Sequence, residues 1–91
     1  MEFLWEARKA EANHMKHGVR FSESLPIFVD DYALTITDDE SDPEENRFVA
    51  IGMGAKARVL VVVYSYRGKN IRIVSARVAE TQERRQYEDS R

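Results

Sequence analysis

The residues best equipped for chemistry are the arginines of the C-terminal half. Arg67 and Arg72 flank the segment Arg67-Gly68-Lys69-Asn70, and Arg77 stands at the far end of the apolar run that follows. A guanidinium can donate two parallel hydrogen bonds to a phosphate. Phosphoryl transfer needs such donors because charge accumulates on the phosphate oxygens. RNA brings its own nucleophile, the 2′-hydroxyl, so an enzyme that positions RNA needs neither a metal nor a side-chain nucleophile. The structural alternative for Arg77 is an ion pair with Glu80 or Glu83 that locks the terminal helix onto the sheet. Composition and spacing alone favour that alternative.

Other constellations carry less. Asp30/Asp31 and Asp38/Asp39 are adjacent in sequence, but acid–base pairs need convergence, which adjacency does not supply. The acidic run from Asp38 to Glu45 lacks the central glycine and terminal glutamate of a calcium loop. His14 and His17 share one helix face, yet zinc wants a third ligand, so no metal site is expected. His17 beside Lys16 suits the negative end of a helix dipole. Gly52-Met53-Gly54-Ala55-Lys56 is too short for a phosphate loop, and no nucleophile elbow is present. Tyr32, Tyr64 and Tyr66 could stack on bases or serve as amphipathic core residues. Trp5 reads as an anchor for the first strand.

These residues need elements to position them. Phe3 to Trp5 reads as a short strand and Glu6 to His17 as a helix of good helix formers, closed by Gly18. Ser22 or Ser24 would cap a second short helix running to Val29, with Pro26 in its first turn. Tyr32 to Thr37 alternates, with Tyr32, Leu34 and Ile36 facing one way. Residues 38–46 form an acidic loop. Strands follow at Arg47 to Met53, Arg58 to Tyr66 and Ile71 to Val78, with a hairpin at Arg67–Asn70. On the last strand, strict alternation puts Ile71, Ile73, Ser75 and Arg77 on one face and Arg72, Val74, Ala76 and Val78 on the other. Glu80 to Asp89 is a charged terminal helix. The order β-α-α-β-β-β-β-α predicts an α+β domain of two layers, an antiparallel sheet packed against helices.

The 91 residues suffice for one domain, spanning 1–91. Such a chain buries only roughly 60–65% of its unfolded surface, so a partner that covers surface would stabilise it. The absence of cysteine removes disulfides and thiol chemistry. No apolar run approaches the roughly 20 residues of a membrane span, and the N-terminus lacks a signal-peptide pattern, so a cytoplasmic protein without membrane contact is expected. The net charge is −2, but the charges are segregated. Six acids lie between Asp38 and Glu45, whereas Arg47, Lys56, Arg58, Arg67, Lys69, Arg72 and Arg77 stand in a stretch without one acid. A polyanion responds to that distribution more than to the sum.

Three segments together resemble the BrnT toxin family. They are Phe3 to Val19, with Asn13 followed by Lys16-His17-Gly18-Val19; Arg47 to Gly52 leading into Val59 to Tyr64; and Ile71-Arg72-Ile73-Val74-Ser75-Ala76-Arg77 with Ala79, Glu83-Arg84-Arg85 and Tyr87-Glu88. The resemblance covers nearly the whole chain in order. It implies a RelE-like ribonuclease fold, RNA cleavage that stops translation and growth, and no cofactor. It also implies a cognate antitoxin, BrnA-like, with a ribbon-helix-helix DNA-binding part; operator DNA is met only through the complex. In that light Arg77 is the first catalytic candidate, joined by Arg67 and by Glu80 as base or orienter, although the family often has a small hydroxyl residue where Glu80 stands. Arg72, Lys16, His17, Arg58 and Lys69 become RNA- or phosphate-binding candidates. Pro26 is a departure from the family pattern.

Two functional classes remain in play. One is a metal-independent endoribonuclease using 2′-hydroxyl attack and arginine stabilisation. The other is a toxin-like binding module, catalytically weak or inactive, that docks an antitoxin or other partner segment. The first expects Arg77 exposed near other bases; the second expects it tied to Glu80 or Glu83. A homodimer of the free chain is compatible with both.

Overall fold

The computed structural model describes residues 1–37 and 46–91. The acidic segment 38–45, with the Asp38/Asp39 pair and the calcium-loop comparison, lies outside the described residues. The elements are strand β1 (Phe3–Leu4), helix α1 (Ala7–His17), a 3-10 helix (Phe21–Val29), strands β2 (Leu34–Thr37), β3 (Arg47–Met53), β4 (Val59–Arg67) and β5 (Asn70–Val78), and helix α2 (Thr81–Asp89). Each stands within a residue or two of the sequence expectation.

The strands form one sheet in the order β1-β5-β4-β3-β2. β2 to β5 are an antiparallel meander, as expected of strands joined by short loops. The sheet as a whole is mixed, because β1 runs parallel to β5. Parallel pairing needs a long connection, and everything between Leu4 and Asn70 supplies it. Gly68, at φ 62°, opens the two-residue β4–β5 turn, a position that costs a residue with a Cβ.

β4 is buried on both faces, which is why its run of valines does not alternate with polar residues. On one face Val19, Phe21, Ile27, Leu60, Val62 and Ala76 form the larger core under α1 and the 3-10 helix. On the other, Ile51, Val59 and Val61 pack against Tyr87 of α2. Helices therefore approach both faces rather than one. Apolar side chains on both sides of β3 and β4 require it.

The second helix is a 3-10 helix without a serine cap. Its N-cap is Arg20, which makes no side-chain bond. Ser24, fully buried, donates its hydroxyl to the Phe21 carbonyl at 2.7 Å. Pro26 has no N–H to give the Ser22 carbonyl, so the α-helical pattern cannot propagate through it. Glu23 is also buried and lies over the β3–β4 turn, where the Ala55 N–H donates to its carbonyl at 2.9 Å. That approach needs Gly54, since a Cβ there would meet the Glu23 carbonyl oxygen at 2.9 Å and Leu60 Cδ1 at 2.6 Å.

α1 lies along the exposed edge of β5 beyond the short β1. Asn13 secures it. The Asn13 Nδ2 donates to Ala76 O at 2.8 Å and Val19 O at 2.9 Å, and the Ala76 N–H donates to Asn13 Oδ1 at 3.1 Å. One amide thus satisfies both polar groups of an edge residue that would otherwise be buried unpaired.

Candidate nucleic-acid interface

The β4–β5 pairing carries one irregularity. Val63 pairs with Ser75 and Tyr64 with Ile73, leaving Val74 as an extra residue on β5. A bulge of this kind resets the alternation downstream. Arg77 therefore faces the same side as Arg72, not the opposite side that strict alternation predicts, and Ala76 instead of Ser75 enters the core.

The face so defined carries parallel rungs. Arg47, Ser65 and Arg72 form one, by successive pairing across β3, β4 and β5. Ile36, Val49, Val63 and Ser75 form the next, and Leu34, Ile51, Val61 and Arg77 the one after. α2 covers the last of these. At the open end, Arg47, Ser65, Arg67 and Arg72 line a small cavity of about 70 Å³ together with Glu6 and Lys9 of the α1 end. Lys9 Nζ lies 3.3 Å from Glu6 Oε2. A second hollow of about 250 Å³ shares Lys9 and Val74 with the first and continues along α1 past Lys16 and His17 to Ser75. The two make one basic groove between α1 and the bulged strand.

Of the sequence candidates, Arg67 and Arg72 line the first hollow and Lys16 and His17 the second. Lys69 is exposed in the adjoining hairpin turn. Arg58 is elsewhere and engaged: its Nη2 contacts Glu23 Oε2 at 2.7 Å and Oε1 at 2.9 Å, and the Gly18 carbonyl at 3.2 Å. Burial pushes the Glu23 carboxyl up, but hydrogen bonds from Arg58 and Lys56 outweigh it and hold the group below the usual glutamate range. Arg58 thus fastens the 3-10 helix to the start of β4.

Arg77 is likewise engaged. Its Nη1 and Nη2 donate to Glu83 Oε1 and Oε2, each at 2.8 Å, a bidentate pair. These hydrogen bonds raise the arginine further above its ordinary value and lower Glu83 below its own. The same Glu83 Oε1 accepts the Glu80 backbone N–H at 2.9 Å, part of a capping box at the start of α2. Glu80 is therefore the N-cap of α2. Arg77 sits roughly 15 Å along β5 from Arg72, by the usual strand rise, and Glu80 lies beyond the end of that strand. Arg77 is thus tied to an acid on α2, the arrangement that the alternative reading expects.

Lys9, Arg47 and Ser65 complete the groove and were missed from sequence. Lys9, Asn13, Lys16 and His17 follow helical spacing on one face of α1, a signal that could have found Lys9. Arg47 and Ser65 enter through cross-strand register, which no local pattern reports. Among the described residues no three His, Cys, Asp or Glu side chains are grouped to hold a metal ion.

Comparison with known proteins agrees with this architecture. The family model described as ribonuclease toxin, BrnT, of type II toxin-antitoxin system matches residues 5–83. The crystal structure of the Brucella abortus ribonuclease toxin BrnT shares the fold, with a TM-score of 0.70 at 23% identity, covering 89% of this chain and 99% of that one. No curated protein sequence matches the chain.

Proposed function

The chain belongs to the BrnT family of ribonuclease toxins of type II toxin–antitoxin systems, and from that premise we propose that it is a metal-independent endoribonuclease whose phosphate grip is Arg67 and Arg72. The observation that carries the reading is the convergence of these arginines with Arg47 and Ser65 at the end of the sheet that α2 leaves open. The scissile phosphate sits against the two guanidiniums. The 2′-oxygen attacks phosphorus and the 5′-oxygen leaves, giving a 2′,3′-cyclic phosphate and a 5′-hydroxyl. Arg67 and Arg72 stabilise the charge that develops on the non-bridging oxygens. Glu6, which lines the same hollow as the two arginines, is placed to take the 2′-hydroxyl proton and pass it, directly or through a water, to the leaving 5′-oxygen. Lys9 and Lys16 steer the adjoining backbone phosphates.

The family implies a cognate antitoxin. A BrnA-like ribbon-helix-helix protein, bringing the complex to operator DNA, completes the proposal, and the cytoplasm is where these partners meet. No helix among the described residues is long and apolar enough to cross a membrane. The second reading, a toxin-like module that docks a partner and cleaves weakly or not at all, gains from the Arg77–Glu83 pair, which it expects. In that reading Arg77 serves to hold α2 against the sheet.

Induced expression with growth arrest as readout separates the two. The wild type arrests growth, Arg67→Ala/Arg72→Ala does not, and both give the same circular dichroism spectrum. Losing one donor to the charge that develops in the transition state costs roughly 10²- to 10³-fold in rate. With purified protein, cleavage persists in a chelator and leaves cyclic phosphate ends. Arrest by the folded double variant at the wild-type level refutes the arginine assignment, and no cleavage by either protein favours the binding module.

A further inference from the structure

The end of the sheet that carries the arginines has a second surface. Phe48, Tyr64 and Tyr66 alternate with Arg47, Ser65 and Arg67 along β3 and β4, so they occupy the opposite face. The rings form a connected cluster. Phe48 stacks on Tyr64 at 5.7 Å between centroids, and Tyr66 meets both edge-on, at 5.4 Å from Phe48 and 5.9 Å from Tyr64. Phe28 closes the inner side at 4.9 Å from Tyr64. Tyr64 is 5% exposed and its core role is plain, whereas Tyr66 is 53% exposed. Beside them lies a hollow of about 280 Å³ whose lining includes Phe28, Thr35, Ala50, Tyr64, Tyr66 and Ile71. Its walls are mostly aromatic and aliphatic, and its polar groups are the Thr35 and tyrosine hydroxyls and the Asp30 carboxylate, which is already engaged by the Met53 N–H and the Tyr87 hydroxyl. That combination of ring faces and a few polar groups suits a planar heterocycle with hydrogen-bonding edges.

We propose that Tyr66, backed by Phe48 and Tyr64, is a stacking subsite for an unpaired RNA base flanking the phosphate held by Arg67 and Arg72. The inference rests on the RNA-cleaving reading above. Arg67 directly follows Tyr66 and Arg47 directly precedes Phe48, so phosphate grip and base platform are adjacent residues on opposite faces of one sheet end. A single strand leaving the arginines passes the exposed Lys69 in the hairpin turn, where a cation meets the next phosphate, before its base reaches the rings. Stacking needs the base splayed out of a duplex, so the subsite selects single-stranded RNA.

The test is fluorescence anisotropy with a short, labelled single-stranded RNA carrying 2′-O-methyl sugars, which bind without being cleaved. A set of the same oligomer with one abasic position at a time locates the base. Tyr66→Leu keeps an apolar cover over Phe48 and removes the ring; Tyr66→Phe keeps the ring. Tyr66→Leu weakens binding roughly five- to hundredfold, Tyr66→Phe retains wild-type affinity, and the loss disappears when one particular position is abasic. Binding that depends on Arg67 and Arg72 but is unchanged in Tyr66→Leu overturns the subsite and leaves the ribonuclease reading standing. A wild type that does not bind the RNA at all overturns both.

Discussion

Replacing Asn13 by Asp changes one nitrogen for one oxygen, yet it should destabilise the domain more than replacement by Ala. The amide nitrogen donates to two carbonyls, Ala76 O and Val19 O, while its oxygen accepts from the Ala76 N–H. Ala76 and Val19 are both fully buried, so water does not readily take over. Asn13→Ala loses three hydrogen bonds, each worth about 1 kcal/mol net. Part of that is offset by the better helix propensity of alanine, up to about 0.7 kcal/mol. The expected loss is about 2–3 kcal/mol, or a fall in Tm of roughly 10–20 °C for a domain of this size. Asn13→Asp keeps the bond from Ala76 N–H, but it sets a carboxylate oxygen against two carbonyls. Burial and those carbonyls raise the folded pKa of the new acid above its unfolded value of about 3.9. The penalty relative to wild type is therefore smallest below the unfolded pKa, grows as pH rises, and is complete above the folded pKa. Urea unfolding followed by Trp5 fluorescence, at pH 7 and in acid, measures it. An Asp variant as stable as wild type at neutral pH, or one whose deficit grows on acidification, would refute the account of how α1 is held to β5.

The Arg77–Glu83 pair should behave as a clamp on α2. In a double-mutant cycle of Arg77→Ala and Glu83→Gln the coupling should be about 1 kcal/mol, modest because the arginine side chain is 38% exposed, and folded Arg77→Ala should still arrest growth; zero coupling with full loss of arrest would return Arg77 to the catalytic role. Burial raises the Asp30 carboxyl, but hydrogen bonds from the Met53 N–H, the Tyr87 hydroxyl and the Tyr32 N–H hold it below its ordinary value; Glu23 and Glu83 are lowered as well. Stability from such groups is present above the ordinary carboxylate range and lost as pH falls through the depressed folded values. Thermal unfolding between pH 7 and pH 3 should show a steep loss that Asp30→Asn makes shallower, and an unchanged slope in that variant would remove Asp30 from the account.

Most elements were legible because their signals are local. Gly18 closes α1 in a left-handed conformation at φ 69°, the Gly68 turn joins β4 and β5, and the apolar runs mark the strands. The site was only partly legible. Arg67, Arg72, Lys16 and His17 were found as residue types in suitable positions. Arg58 was indistinguishable from them in sequence, because its acid partner, Glu23, stands 35 residues away and is brought to it by tertiary packing, whereas the Arg77–Glu83 pair, six residues apart, was readable from spacing. The bulge at Val74 was invisible for a different reason: the residues on either side of it are apolar or small, so nothing in their order marks where alternation changes phase. Pro26 gave a readable warning about the second helix, but reading it as a first-turn residue missed that the helix had no α-helical turns to follow.

Val74 makes β5 two short strands in series with opposite parity. The first segment shows Arg72 to the groove, and the second shows Arg77 to α2, with one unpaired residue as the joint. Deleting Val74 would leave Ile73 opposite Tyr64 and Ser75 opposite Val63 in an unbroken ladder, with Ala76 still in the core and Arg77 still towards α2. Drawing Val74 into the ladder is what would turn the strand over, driving Arg77 into the space of Ala76, which has no exposed surface, and pulling the Ala76 backbone away from Asn13. The arm thus carries one residue more than its pairing uses, and the sidedness of its far half depends on that residue staying out of register.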